Sequence, residues 1–229
     1  MSESTQINFM DSLRDMAKKE LVGRKGSIII NYAGETVQYM NNDIIGNALQ
    51  AWLPVWFQRN DVELINNEHT QEFPDFIAVD GENHYDVEIK CWNYNASPAF
   101  DLANFHSLIN VLYVNPRKIM ADYLILPYQP TEHGFEVVDV YLKKIWEITK
   151  PSRNYPIGLQ VKRDQPYAVR PFPFHRQPEN SFSNRKEFVE ALAETLKLFP
   201  PKNDVPYEDA EDWLATVSIN FCQITGEEL

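Results

Sequence analysis

Two apolar runs, residues 75–79 and 85–92, flank Asp80-Gly81-Glu82-Asn83, and this pairing constrains the chain more than any other feature. An Asp-Gly pair between strand-like runs specifies a hairpin, because glycine accepts the positive φ that a tight reversal requires. Side chains alternate along a strand, so Val87, Ile89 and Cys91 share one face while Glu88 and Lys90 share the other. The apolar face is expected to enter the core. The charged face is expected to line a cleft, with Asp75 brought across from the preceding strand.

The remaining pattern predicts a layered, mixed structure. Phe9, Leu13, Met16 and Ala17 recur at helical spacing over residues 6–21, and the segment from Gly23 to Gly26 ends that helix. A strand over 27–32 leads through Ala33-Gly34 toward a second helix over 42–59, which Pro54 is expected to bend or break. A short strand over 62–65 precedes the hairpin. After it come a helix from Ser97-Pro98 to about Tyr113 and a buried central strand over 121–128, bounded by Pro127. Strands over 135–142 and 157–161 follow, then an irregular proline- and aromatic-rich stretch over 166–178. Helices over 183–199, with Ser183 as N-cap, and 207–222 complete the chain. The expected fold class is α/β, or α+β: a mixed central sheet flanked by helices. The 229 residues are expected to form a single domain, its core at about 42–128, with a C-terminal helical elaboration over 183–222.

Several function classes lack their signatures. Cys91 and Cys222 are the only cysteines, which excludes a disulfide framework and a cysteine-rich zinc site. No run reaches the roughly 18–20 apolar residues of a membrane span, and residues 1–10 lack a secretory layout, so a reducing cytoplasm is the expected location. The five histidines have no metal-binding spacing, and no glycine-rich phosphate loop, dinucleotide turn or nucleophile elbow is present. Trp52, Trp56, Trp92, Trp146 and Trp213 are expected in the core, with Trp92 notable for sharing the face of Glu88 and Lys90.

The charged face has a definite chemistry. Two carboxylates converging on one point repel unless a cation lies between them. Carboxylate oxygens select hard ions, and Mg²⁺ is the natural occupant. Such an ion polarises a phosphoryl oxygen and activates water, while Lys90 adds positive charge where the transition state becomes more negative. Asp75, Glu88 and Lys90 are therefore the candidate centre for cutting a phosphodiester backbone. Glu-x-Lys on an exposed strand is ordinarily a surface ion pair. The catalytic reading is favoured by adjacent strands, a hairpin between them, a following helix and an apolar strand beyond.

The charge distribution bears on how such a substrate would be held. The net charge is −12, yet residues 143–186 carry ten basic side chains against three acidic ones. This segment is expected to supply a locally positive, duplex-facing surface on an acidic protein. Lys162 and Arg163, ending an apolar strand, and Arg170 are the candidate contacts there. Asp101 and Asn104 could also contact DNA, with capping of the helix start as the alternative.

Pro74-Asp75 and Glu88-Ile89-Lys90, in the order helix, strand, strand, helix, strand, resemble the PD-(D/E)xK nuclease superfamily, and within it a type II restriction endonuclease. The run Ser97-Pro98-Ala99-Phe100-Asp101-Leu102-Ala103-Asn104-Phe105 after the lysine, and Gly158-Leu159-Gln160-Val161-Lys162-Arg163, are similar to the NgoBV-type group. The resemblance implies a restriction-endonuclease-like core in which Asp75, Glu88 and the Ile89 carbonyl ligate Mg²⁺ and Lys90 is the catalytic lysine. It implies cleavage of double-stranded DNA at a short specific site by a homodimer, whose two-fold symmetry suits a symmetric duplex target. The superfamily often adds an acidic residue from the preceding helix; here that helix offers Asp43 and, as an amide, Asn47. A repair or recombination nuclease with the same core and a non-catalytic DNA-binding module are the alternatives.

Overall fold

The computed structural model describes residues 8–39, 44–66, 73–202 and 204–229. In chain order the elements are α1 (Phe9–Leu21), β1 (Lys25–Gly26), β2 (Ile28–Tyr32), β3 (Glu35–Tyr39), α2 (Ile45–Arg59), β4 (Glu63–Asn66), β5 (Phe76–Asp80) and β6 (Asn83–Asn93). They continue as β7 (Ala103–Asn104), α3 (Phe105–Val114), β8 (Asp122–Thr131), β9 (Gly134–Val137), β10 (Tyr141–Lys143), β11 (Leu159–Lys162), β12 (Gln165–Val169), α4 (Arg185–Leu198) and α5 (Ala210–Thr225). The chain divides into two compact units. The first comprises Met1–Ser97 and Asp122–Lys143, the second Pro98–Ala121 and Lys144–Leu229.

A seven-stranded mixed sheet organises the first unit, in the order β1-β9-β8-β6-β5-β4 with β10 also paired to β8. The β5–β6 hairpin forms as expected, closing on Asp80↔Asn83 with Gly81 at φ 61. β6 then outruns β5 and pairs in parallel with β8 from Val87↔Asp122 to Asn93↔Tyr128. On α1 the residues Met10, Leu13, Ala17 and Leu21, spaced three or four apart, pack with Leu53 and Phe57 of α2 against Phe76, Ala78, Val87, Ile89, Leu124 and Leu126 of the sheet. Each of the buried Met, Leu, Phe, Val and Ile side chains contributes about 1.5–3 kcal/mol of transfer free energy.

Several boundaries differ from the sequence reading, each for a physical reason. α2 ends at Arg59 as read and Pro54 does not break it, the helix being held by the buried stripe Ile45, Leu49, Leu53, Phe57. Pro127 lies inside β8 instead of bounding it. β10 pairs with β8 only as far as Ile125, and β9 takes over at Tyr128, so proline occupies the gap where no ladder hydrogen bond is required of it. Ala33-Gly34 closes a second hairpin, β2–β3, with φ values of 51 and 84 at the two turn residues.

In the second unit, β11, β12 and β7 form a three-stranded antiparallel sheet. β12 occupies the start of the stretch expected to be irregular; its partner is specified by a two-residue turn with Arg163 at φ 53 and Asp164 at φ 57. Segment 98–102 is not helical. Leu102 N donates to Val169 O, β7 pairs with β12, and the Asn104 side chain caps Ser107 N, so α3 begins only at Phe105. Trp213 of α5 is fully buried and its indole N–H donates to Ile109 O at 3.0 Å. Among the described residues no helix is long and apolar enough to cross a membrane.

Candidate active site

The site lies where β5 starts. Its ladder with β6 begins at Phe76↔Val87, so Asp75 stands just before the first paired residue, next to the second half of β6. The Asp75 carboxylate accepts a hydrogen bond from Ile89 N at 2.6 Å through Oδ2. Lys90 Nζ donates to Glu88 Oε1 at 2.7 Å. Asp75, Glu88 and Lys90 thus meet within one short stretch of sheet edge, as the alternation requires. Val87 and Ile89, on the opposite face, are fully buried.

Glu88 is only 8% exposed, and its ion pair with Lys90 is largely withdrawn from solvent, the two side chains 11% and 14% exposed. A pair held out of water carries a desolvation cost that its mutual attraction need not recover. Its presence in a polar corner of the sheet therefore points to a use other than stability. Burial pushes the Glu88 carboxyl above its ordinary value; the Asp75 charge raises it further, against the lowering effect of Lys90 and of hydrogen bonds from Lys90 and the Asp75 amide. Asp75 reaches the surface, yet crowding of its carboxylate by protein raises its pKa too, opposed by the Ile89 amide and the Lys90 charge.

Mutual repulsion of this kind is what a hard cation relieves. Among the described residues no group of three or more His, Cys, Asp or Glu side chains could hold a metal. The side-chain donor set is thus two carboxylates, and a third protein oxygen would have to come from the backbone. The Ile89 carbonyl, already oriented by a hydrogen bond from Gln50 Nε2, is adjacent. The donors are all oxygens, which fits Mg²⁺ and not a soft ion.

Of the two helix residues considered as an additional ligand, Asp43 lies outside the described residues and Asn47 is exposed on α2. Gln50, one turn beyond Asn47, is the residue that reaches β6, and residue-type reasoning does not single it out. Tyr123, too, shows in the sequence only as part of an apolar strand. It is directly across from Glu88 in the parallel ladder, fully buried, and its hydroxyl pKa is pushed well up by burial and by the charges of Glu88 and Asp75. Trp92 is 5% exposed and stacks with Tyr141, so it is core, whereas Trp52 is 43% exposed and departs from the expectation for the tryptophans.

The proposed DNA contacts belong to the second unit. Lys162 and Arg163 are exposed at the β11–β12 turn, with Lys162 Nζ 3.4 Å from the centre of the Tyr167 ring. Arg170 is engaged internally: it pairs with Asp101 at 3.0 Å and donates to Ala99 O and Gln160 Oε1. Asn104 caps α3, accepting from Ser107 N at 3.1 Å.

The mixed sheet with its acidic edge and flanking helices is a restriction-endonuclease-like fold: a solved NlaIV restriction endonuclease matches with a TM-score of 0.86 and 25% identity, over 97% of this chain and 92% of that one. The chain belongs to the NgoBV restriction endonuclease family, whose model matches residues 4–229, and its enzyme class is the type II restriction endonuclease. The type II restriction enzyme NlaIV of Neisseria lactamica is 29% identical over 205 residues, 87% of this chain and 84% of that enzyme. The type II restriction enzyme NgoBV of Neisseria gonorrhoeae is 26% identical over 165 residues, 71% of this chain and 93% of that enzyme.

Proposed function

We propose that the protein is a Mg²⁺-dependent endonuclease of the PD-(D/E)xK type, cutting double-stranded DNA at a short specific sequence as a homodimer, with both units serving one nuclease. The observation that supports this most directly is the part-buried Glu88–Lys90 pair beside the point where Asp75 reaches Ile89. Asp75, Glu88 and the Ile89 carbonyl would hold the ion. When bound, Mg²⁺ supplies polarisation of a phosphoryl oxygen and acidification of a water.

The protein's own residues do the rest. Lys90, with three N–H donors and Glu88 taking one, has further donors to direct at the non-bridging oxygens as negative charge develops on phosphorus. Glu88 also keeps the ammonium in place. The Ile89 amide holds Asp75 in one orientation, which lowers the entropy lost on assembling the reacting groups. Lys162 and Arg163 are the proposed phosphate or base contacts, Asn104 and Arg170 acting there only through the α3 start and the 99–101 segment that they support.

The test is digestion of plasmid and phage DNA with Mg²⁺, followed by sequencing of the ends. Discrete fragments with one shared terminal sequence are expected. A smear, a preference for branched substrates, or intact plasmid would overturn the site-specific reading.

A further inference from the structure

The β5–β6 ladder stops at Phe76↔Val87, which leaves the Ile89 backbone, two residues farther along β6, with no strand opposite it on that edge. A buried backbone amide and carbonyl must still be satisfied. Two side chains take the missing strand's place: Asp75 Oδ2 accepts from Ile89 N at 2.6 Å, and Gln50 Nε2 donates to Ile89 O at 2.5 Å. One residue is thus held at both its polar groups, by one side chain from α2 and one from the residue just before β5.

We infer that Gln50 is a positioning residue, fixing the direction of the Ile89 carbonyl so that its remaining lone pair serves the candidate metal centre. This rests on the nuclease reading above. A carbonyl oxygen has two acceptor sites, so the Gln50 amide takes one and leaves the other. α2 approaches β6 closely here: at Gly46, one turn before Gln50, an added Cβ would lie 3.6 Å from Cys91 Cβ. Gln50 itself is half-buried, next to Leu49 in the stripe that faces the sheet. A neutral amide orients the carbonyl without adding a third negative charge to Asp75 and Glu88. A carboxylate at this position would repel that carbonyl and would act, if at all, as a ligand itself.

The test compares wild-type protein with Gln50→Met, which keeps length but lacks the donor, and with Gln50→Glu. DNA-free protein is titrated with CaCl₂ alone by calorimetry and melted with and without Ca²⁺; kcat and KM for cleavage are measured at saturating Mg²⁺. For Gln50→Met, Ca²⁺ affinity is expected to fall about ten- to hundredfold, as for other residues that orient a metal ligand. kcat should fall while KM for DNA stays within about twofold. Wild-type Ca²⁺ affinity in Gln50→Met would overturn the inference, as would Gln50→Glu binding Ca²⁺ more tightly with kcat retained, since position 50 would then be a direct ligand. If Gln50→Met fails to fold, Gln50→Glu decides alone, with weakened binding supporting the positioning role. A wild-type protein that neither takes up Ca²⁺ nor cuts DNA in Mg²⁺ would overturn the nuclease reading itself; wild-type success beside an unimpaired Gln50→Met overturns only the role of Gln50.

Discussion

Asp75 Oδ2 accepts the Ile89 amide proton at 2.6 Å, so one carboxylate both closes the sheet edge and faces the candidate metal centre. These two roles separate on substitution. Asp75→Asn retains an oxygen acceptor and is expected to fold with little loss, while cleavage disappears. Asp75→Ala is expected to lose activity and about 1–3 kcal/mol of stability, because the Ile89 N–H loses its partner. Urea denaturation beside a cleavage assay distinguishes them; equal stability of the two variants would refute the structural role.

Glu88→Ala and Lys90→Ala are expected to lower cleavage by at least about a hundred- to a thousandfold, the usual cost of removing one charge-stabilising group. Glu88→Ala should also weaken metal binding, and Lys90→Ala less so. Either purified, folded variant cutting near the wild-type rate would remove these residues from the mechanism.

Metal identity follows from coordination. Ca²⁺ shares the preference for oxygen but takes longer bonds and a looser geometry. It is expected to support DNA binding without turnover, with Mg²⁺ or Mn²⁺ supporting cutting. Full activity in excess EDTA would contradict a metal-dependent reaction.

A pH effect is expected away from the site. Burial alone would raise the Asp139 pKa, but hydrogen bonds and charge from Lys18, with the Val140 amide and the Tyr141 hydroxyl, hold it below the ordinary carboxylate range. A carboxyl depressed in the folded state contributes stability above its unfolded pKa, about 3.9, and loses that contribution as pH falls through the folded value. Asp139→Asn is therefore expected to destabilise at neutral pH, by a few tenths to about 1 kcal/mol since Lys18 is half-exposed. The difference from wild type should close as pH falls below about 4. A difference that is constant across denaturation curves from pH 7 to pH 3 would be inconsistent with this pair.

Salt dependence tests the basic segment. Lys162→Ala and Arg163→Ala should each reduce the log–log salt slope of DNA binding by roughly 0.9 for every phosphate that the side chain neutralises. Lys19, 82% exposed, is the proper control, because its neighbour Lys18 is tied to Asp139 at 2.8 Å. Asn104→Ala should instead cost about 1 kcal/mol of stability through removal of the helix cap. Equal changes in slope at Lys19 and at Lys162 would separate DNA binding from the 143–186 segment.

The central hairpin is legible because its information is local: Asp80-Gly81 makes the turn, and strict alternation in Asp86–Cys91 assigns each side chain a face. The meeting of Asp75, Glu88 and Lys90 follows from those two facts alone. Gln50 is not legible, since which side of α2 meets β6 is settled by tertiary packing, and Asn47 is as plausible as Gln50 on the helix pattern. Ser97-Pro98 imitates a helix start, but Leu102 N finds Val169 O, far later in the chain, and the helix waits for the Asn104 cap. Pro127 misleads for the same reason: whether proline is tolerated depends on where the neighbouring strands end, and β9 and β10 lie beyond it in sequence.

The chain passes between its two units three times, after Ser97, after Ala121 and after Lys143. Neither unit is a contiguous gene segment, so no single crossover can exchange one between relatives while leaving the other whole. Exchanging one whole unit between relatives takes three crossovers, one at each passage. A designer building chimaeras would accordingly need to transplant residues 98–121 and 144–229 together, because either piece alone would leave its hydrophobic partners behind.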